Sequence, residues 1–229
     1  MKEIIKSTFV LTALLLAIST VTAQGEYYRF EGYGGYAYMN VDRGFDVDEF
    51  DDDFSEFPTN KVDAHGFNGS FTYNFSRYVG AKFDMTFHSS DEEFDSILSI
   101  NPPPPNQVIQ RFRISQGTNQ YMGGIQIKDN SKEGSIFKPW AHALIGAADQ
   151  NYSIEQSDGN RLLDIDSTDW AMKFGGGLDI KVHKNIDIRA IGFDWNPINR
   201  GAFDSIGQFG TINGGWQNNW LVNFGIVFH

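Results

Sequence analysis

From Trp170 to Val182 the side chains alternate in character without a break. Trp170, Met172, Phe174, Gly176, Leu178, Ile180 and Val182 form one set, and Ala171, Lys173, Gly175, Gly177, Asp179 and Lys181 the other. A strand sends successive side chains to opposite faces, so a period of two fixes an extended backbone with one apolar and one polar face. The pattern recurs along the chain. Val79, Ala81, Phe83, Met85 and Phe87 alternate with Gly80, Lys82, Asp84, Thr86 and His88; Trp220, Val222, Phe224, Ile226 and Phe228 alternate with Asn219, Leu221, Asn223, Gly225, Val227 and His229. Eight such segments are predicted, over 28–40, 64–75, 78–89, 109–127, 139–153, 168–182, 186–195 and 218–229. Each is near the roughly 9–11 residues that a tilted strand needs to cross a bilayer.

The connections alternate in length. Long polar loops are expected at 41–63, 90–108, 154–167 and 196–217, tight turns at 76–77 and 183–185, and a moderate connection at 128–138. Long loops at one end and short turns at the other describe an all-β, eight-stranded antiparallel up-and-down transmembrane β-barrel with both termini at the turn end. A soluble sandwich would also alternate, but it would have to bury Glu31, Lys82, Asp84, Lys173, Asp179, Lys181, Asp187 and Arg189 between sheets. The apolar face is rich in rings near the strand ends. Tyr36, Tyr38, Phe67, Phe87, Trp170, Trp195 and Trp220 lie towards the loops, and Phe75, Tyr78 and Phe228 towards the turns, as the two interfaces of a membrane favour. In a barrel this narrow the interior only just admits side chains, so Gly32, Gly34, Gly35, Gly123, Gly124, Gly175, Gly176 and Gly177 make room for long neighbours and relieve tight coiling.

The start of the chain is read as targeting. Lys2 and Lys6 precede an apolar run from Phe9 to Ile18, and Val21-Thr22-Ala23 is a small-residue cleavage site. Residues 1–23 are therefore expected to be a signal peptide, leaving 24–229 as the barrel domain. The formal charge of −11 becomes more negative still without Lys2 and Lys6, which excludes an electrostatic hold on nucleic acid. The absence of cysteine excludes thiol catalysis, disulfides, cysteine-held metals and a lipidated N-terminus.

Three stretches of the second half, KPWAHALIGAA (138–148), FGGGLDIKVHKNIDIRAIGFDW (174–195) and NNWLVNFGIVFH (218–229), resemble the small outer-membrane β-barrel family of OmpA/OmpX-like, porin-type proteins. The likeness rests on Pro139, Trp140, His142, Leu144 and Gly146, on Gly175 to Asp179, and on Arg189 with Asp194. It implies the outer membrane of a Gram-negative-type bacterium as location, with outer-membrane lipid and lipopolysaccharide as surroundings, and no shared activity. It also implies that the last strand, through Trp220, Val222, Phe224, Ile226 and Phe228, is read by the barrel-assembly machinery, although His229 follows where that family ends on an aromatic residue. The odd spacing of Arg189 and Asp194 would put them on opposite faces, so a β-bulge is predicted near Ile191-Gly192.

No catalytic residue, cofactor or metal site is assigned. The acids of 41–63 (Asp42, Asp46, Asp48, Glu49, Asp51, Asp52, Asp53, Glu56 and Asp63) lack the glycine and glutamate spacing of a calcium loop and read as a solvated external loop. Phe45, Phe50, Phe54 and Phe57 interleave these acids, which suits a loop folded against the barrel rim or an adhesive surface. Pro102 to Pro105 mark a stiff loop tip. His88, Ser90 and Glu92 carry the groups of acyl transfer, but the alternation turns His88 inward, away from lipid. His142 is inward and reads as a lumen hydrogen-bonding residue; His65, His183 and His229 are scattered. Glu31, Lys82, Asp84, Lys173, Asp179 and Arg189 are predicted to form a paired charge network that plugs the lumen. The expected protein is a monomeric, non-enzymatic barrel with a structural or surface-interaction role. A narrow ion or small-solute channel is the alternative, a lipid-modifying enzyme is less favoured, and no periplasmic domain is expected beyond His229.

Overall fold

The computed structural model describes residues 26–42, 61–98, 108–156, 159, 161–201 and 214–229. The predicted signal peptide, most of the acidic loop 41–63 and the proline run lie outside the described residues. Eight strands follow one another: β1 (Phe30–Asp42), β2 (Lys61–Asn74), β3 (Val79–Leu98), β4 (Val108–Lys128), β5 (Phe137–Gln156), β6 (Arg161–His183), β7 (Ile186–Arg200) and β8 (Gly215–Phe228). Each pairs antiparallel with its neighbours in sequence, and β8 closes on β1. The closing seam runs only from Gly32↔Phe228 to Asn40↔Trp220, shorter than any other seam of the barrel.

The phases follow the alternation. Phe67, Phe71, Phe83, Ile125, Ile145, Phe174, Phe193 and Phe224 are exposed on the outer wall, while Glu31, Lys82, Asp84, Lys173, Asp179 and Arg189 are buried inside. The predicted bulge is present. Leu178 pairs with Ile191 and Asp179 with Arg189, skipping Ala190; on the other side Ala190 and Ile191 together face Phe224. Two successive outward residues restore the phase, so Arg189 and Asp194 both point inward.

The strands are longer at the loop end than the alternation predicts. Residues 154–167, expected as a loop, are mostly the paired ends of β5 and β6, and β3 and β4 continue far into 90–108. Above a bilayer neither face of a strand needs apolar residues, so the period-two signature disappears although the pairing does not. Charged rungs hold this part: Glu93, Arg113, Glu155 and Arg161 are opposite one another across β3 to β6, with Arg113 2.6 Å from Glu93 and Arg161 2.9 Å from Glu155. Beyond Ser89, β3 is paired with β4 alone, and before Trp170, β6 is paired with β5 alone. The result is a four-stranded flap rising on one side of the rim, with two strand edges unpaired among the described residues.

At the turn end, residues 26–28 form a strap across the barrel mouth. Tyr28 N donates to Asn130 O, Lys132 N to Glu26 O, and Tyr27 bridges Ser131. The Tyr28 hydroxyl reaches Lys184 O across the mouth. Inside, two glycines are required by close approach. A Cβ on Gly175 would lie 1.8 Å from Asp194 Oδ1, and one on Gly177 would lie 2.8 Å from Trp140 Cζ2.

Candidate functional site

Among the described residues, buried charged side chains converge in the lumen, and its chemistry changes along the axis. At the turn end, Lys128 of β4 sends its ammonium 2.7 Å from both Glu31 of β1 and Asp179 of β6. Arg189 grips the same Asp179, Nε to Oδ1 at 2.9 Å and Nη2 to Oδ2 at 3.3 Å. Its guanidinium lies between two rings, 4.0 Å from the centroid of Tyr33 and 4.1 Å from that of Trp140. A planar, weakly hydrated cation suits that slot, where a lysine would lose both the fork and the stacking. Lys138 donates to Asp187 at 3.0 Å, and His229 Nε2 stands 2.7 Å from the same carboxylate while its ring stacks on Tyr28 at 4.3 Å. His229 thus supplies a polar lid for the lowest carboxylate.

A second layer lies above the first. Lys173 of β6 crosses the lumen to Asp84 Oδ1 of β3 at 2.6 Å and to Thr86 at 2.7 Å, and Asn68 donates to Asp84 Oδ2 at 3.0 Å. Lys82 Nζ is 3.1 Å from His142 Nδ1 and 3.9 Å from Asp84. Because an ammonium only donates, His142 accepts at Nδ1, which puts its proton on Nε2. Nε2 stands 3.0 Å from Asp194 Oδ1, an ion-pair distance, but the ring N–H is not aimed for a hydrogen bond. Asn223 holds the other oxygen of Asp194 at 3.1 Å.

Towards the loop end the filling turns apolar. Ala37, Met39, Val41, Val62, Ala64 and Leu221 form one buried cluster, and Met122, Leu144, Ala148, Ala171 and Ile198 another. Gln120 bridges them, donating to Asn196 at 2.7 Å. His88 is buried, and neither ring nitrogen has a hydrogen-bond partner among the described residues. Ser90 is buried beside it on the same strand face.

All six residues expected in the lumen are there, yet among the described residues the lumen holds ten buried acidic and basic groups. Lys128, Lys138, Asp187 and Asp194 complete it, so that five cations (with Lys82, Lys173 and Arg189) meet five carboxylates (with Glu31, Asp84 and Asp179). Lys128 and Lys138 lie one position outside the strand limits read from the alternation, in phase with Gln126 and Trp140. Extending the phase by one residue at each end would have found them. The apolar upper layer was not foreseen, because Met39, Met122 and Leu221 sit on the face read as polar.

Outside the wall, at the turn end, Arg77 clasps Asp129 with Nε to Oδ1 at 3.0 Å and Nη2 to Oδ2 at 2.9 Å. That fork, more than the opposing effect of burial, holds the Asp129 carboxyl well below the usual aspartate range.

The family model described as outer membrane protein beta-barrel domain matches residues 9–228. No curated protein matches the chain. Among solved structures, the attachment invasion locus protein Ail of Yersinia pestis is similar at 12% identity, covering 87% of this chain and 97% of that one, with a TM-score of 0.47. Neisserial surface protein A is similar at 12% identity over 89% and 99% of the two chains, TM-score 0.47. The outer membrane protein OprG from Pseudomonas aeruginosa is similar at 13% identity over 90% and 97%, TM-score 0.45.

Proposed function

The chain belongs to the outer membrane protein beta-barrel domain family, and from that premise we propose that it is a surface-interaction barrel with a sealed lumen. Its location is the outer membrane of a Gram-negative-type bacterium. The observation that carries the surface role is the flap of β3 to β6, which extends above the aromatic girdle and has, among the described residues, two strand edges with no strand paired to them. Such edges are templates for pairing with another polypeptide. Asp91 and Glu93 on β3, with Asp164 and Asp166 on β6, line them with acids, which sets identical edges against one another and favours a different partner over a second copy.

The neutral double ionic layer beneath an apolar layer supports a structural lumen over a conducting one. To the same proposal belong removal of residues 1–23 on export, recognition of Trp220, Val222, Phe224, Ile226 and Phe228 by the assembly machinery, and a monomeric barrel. The test is adherence of cells displaying the protein to neighbouring cells and protein-coated surfaces. Trimming the β3–β4 hairpin at Ser89 and Gly117 and the β5–β6 hairpin at Asn151 and Asp166 should abolish adherence while heat-modifiable mobility persists. Undiminished adherence would sink the flap. Steady conductance steps in planar bilayers, lost on neutralising Lys82 or Arg189, would replace this reading with a channel.

A further inference from the structure

On the outer wall of β4, β5 and β6 three successive rungs change character within a short distance. The lowest is Tyr121–Ala147–Trp170, the next Asn119–Asp149–Thr168, and the third Gly117–Asn151–Asp166. In the lowest rung two rings flank an alanine. Strands in a sheet are about 4.8 Å apart, so Tyr121 and Trp170 stand roughly 9.5 Å from one another across the small Ala147 side chain. Phe87 braces Tyr121 edge-on at 6.0 Å. Trp170 has no such brace among the described residues and is 68% exposed, the most exposed large apolar side chain on the wall.

Directly above this slot is a concavity of about 370 Å³ lined by Asn119, Asp149, Asn151, Asp166 and Thr168. Its floor is cut by Gly117, whose place over the sheet is taken by the Asn151 amide. Thr168 donates to Asp149 Oδ1 at 2.8 Å, fixing that carboxylate. Asn119, Asn151 and Asp166 are exposed on the outer wall, so two amides and a carboxylate face the hollow. No lysine or arginine lines the hollow. On the same outer face the guanidiniums of Arg113 and Arg161 are two rungs higher and already paired with Glu93, Glu155 and Asp164.

We propose that this cleft binds a sugar ring from the headgroup of an outer-leaflet glycolipid, with the ring's C–H faces against Trp170 and Tyr121 and its hydroxyls or amine on Asp149, Asn151 and Asp166. The chemistry selects the class. Exposed rings beside amides and carboxylates offer both faces of a pyranose what it needs, an apolar plane and a fan of donors and acceptors. Two carboxylates with no cation repel a phosphate, which is ordinarily held by arginine or lysine, and welcome a neutral or amine-bearing sugar. The source follows from position. The slot belongs to the aromatic girdle, where rings lie among headgroups, and the hollow opens outward one step above, at the depth where membrane sugars begin. The hollow lies at the base of the flap, and the proposal stands whether or not the strands above it adhere to anything.

The test uses the folded protein in nanodiscs and follows the Trp170 indole N–H and the Asn119 and Asn151 side-chain amides by NMR. Bilayers carrying dephosphorylated lipid A, whose headgroup is a glucosamine disaccharide, should shift these signals, and bilayers of phosphatidylglycerol should not. Trp170→Ala should weaken the response about tenfold, the worth of one stacked ring, and Asn151→Ala should weaken it also, whereas Trp220→Ala, on β8, should leave it unchanged. Heat-modifiable mobility confirms that each variant is folded. The proposal fails if Trp170→Ala and Trp220→Ala respond alike, or if only the phosphorylated glycolipid binds. It fails in its membrane source if the soluble glucosamine disaccharide binds as tightly as the bilayer-held one.

Discussion

Lys128 stands at 2.7 Å from two buried carboxylates, so its removal strips Glu31 of its ammonium partner and leaves Asp179 to Arg189 alone. Breaking a buried pair on one side costs about 3–5 kcal/mol, whereas an exposed pair contributes only about 0–1 kcal/mol. Lys128→Met should therefore lower unfolding stability in urea and detergent micelles by several times the effect of Arg113→Ala, although Arg113 makes the shorter contact, 2.6 Å to Glu93. Equal effects would mean that the lower layer is solvated. The neighbouring glycines belong to the same account: Asp194 fits only because position 175 has no side chain, and Trp140 only because position 177 has none.

Among the elements, the β2–β3 and β4–β5 turns are joined by Arg77 and Asp129, which the sequence separates by fifty-two positions. The depressed Asp129 carboxyl stabilises the fold fully above the ordinary aspartate value near pH 3.9, and that contribution is lost as pH falls from there towards its lower folded value. Asp129→Asn should thus destabilise the barrel at about pH 6 and cost progressively less below about pH 4, read as urea midpoints across that range. A difference that does not shrink in acid would exclude the Arg77 fork as its source. The strands themselves were legible because lipid demands apolar residues on every outward position, and the bulge because Arg189 and Asp194 could share the lumen only through an extra residue. The flap was not legible. Water accepts any residue, so 154–167 carried no alternation, and only the cross-strand rungs from Glu93 to Arg161 mark it as sheet. The strap escaped too, since Tyr27 and Tyr28 join their partners through backbone groups and leave no pattern in the side chains.

For the molecule as a whole, a lumen with balanced charges leaves the formal −11 of the chain to the surfaces. In sequence, the segment between β1 and β2 alone carries Asp46, Asp48, Glu49, Asp51, Asp52, Asp53 and Glu56 against Arg43. The girdle and the flap should also differ in rigidity. Among the described residues, β3 beyond Ser89 and β6 before Trp170 have a paired strand on one side only, so hydrogen exchange should be fast there and slow between Phe83 and Phe87, where β3 has neighbours on both sides. Uniform exchange along β3 would contradict the flap as a separate, looser unit. The short seam between β1 and β8 bears on how such a cylinder comes into being. A ribbon of eight strands has two loose borders until its first and last meet, and here they meet along the least overlap in the molecule, with Gly35 facing Gly225 at its middle. The final weld is also the easiest to unpick: drawn apart by its two chain ends, the barrel should part first along that line, unrolling into a sheet before any other pair of strands lets go.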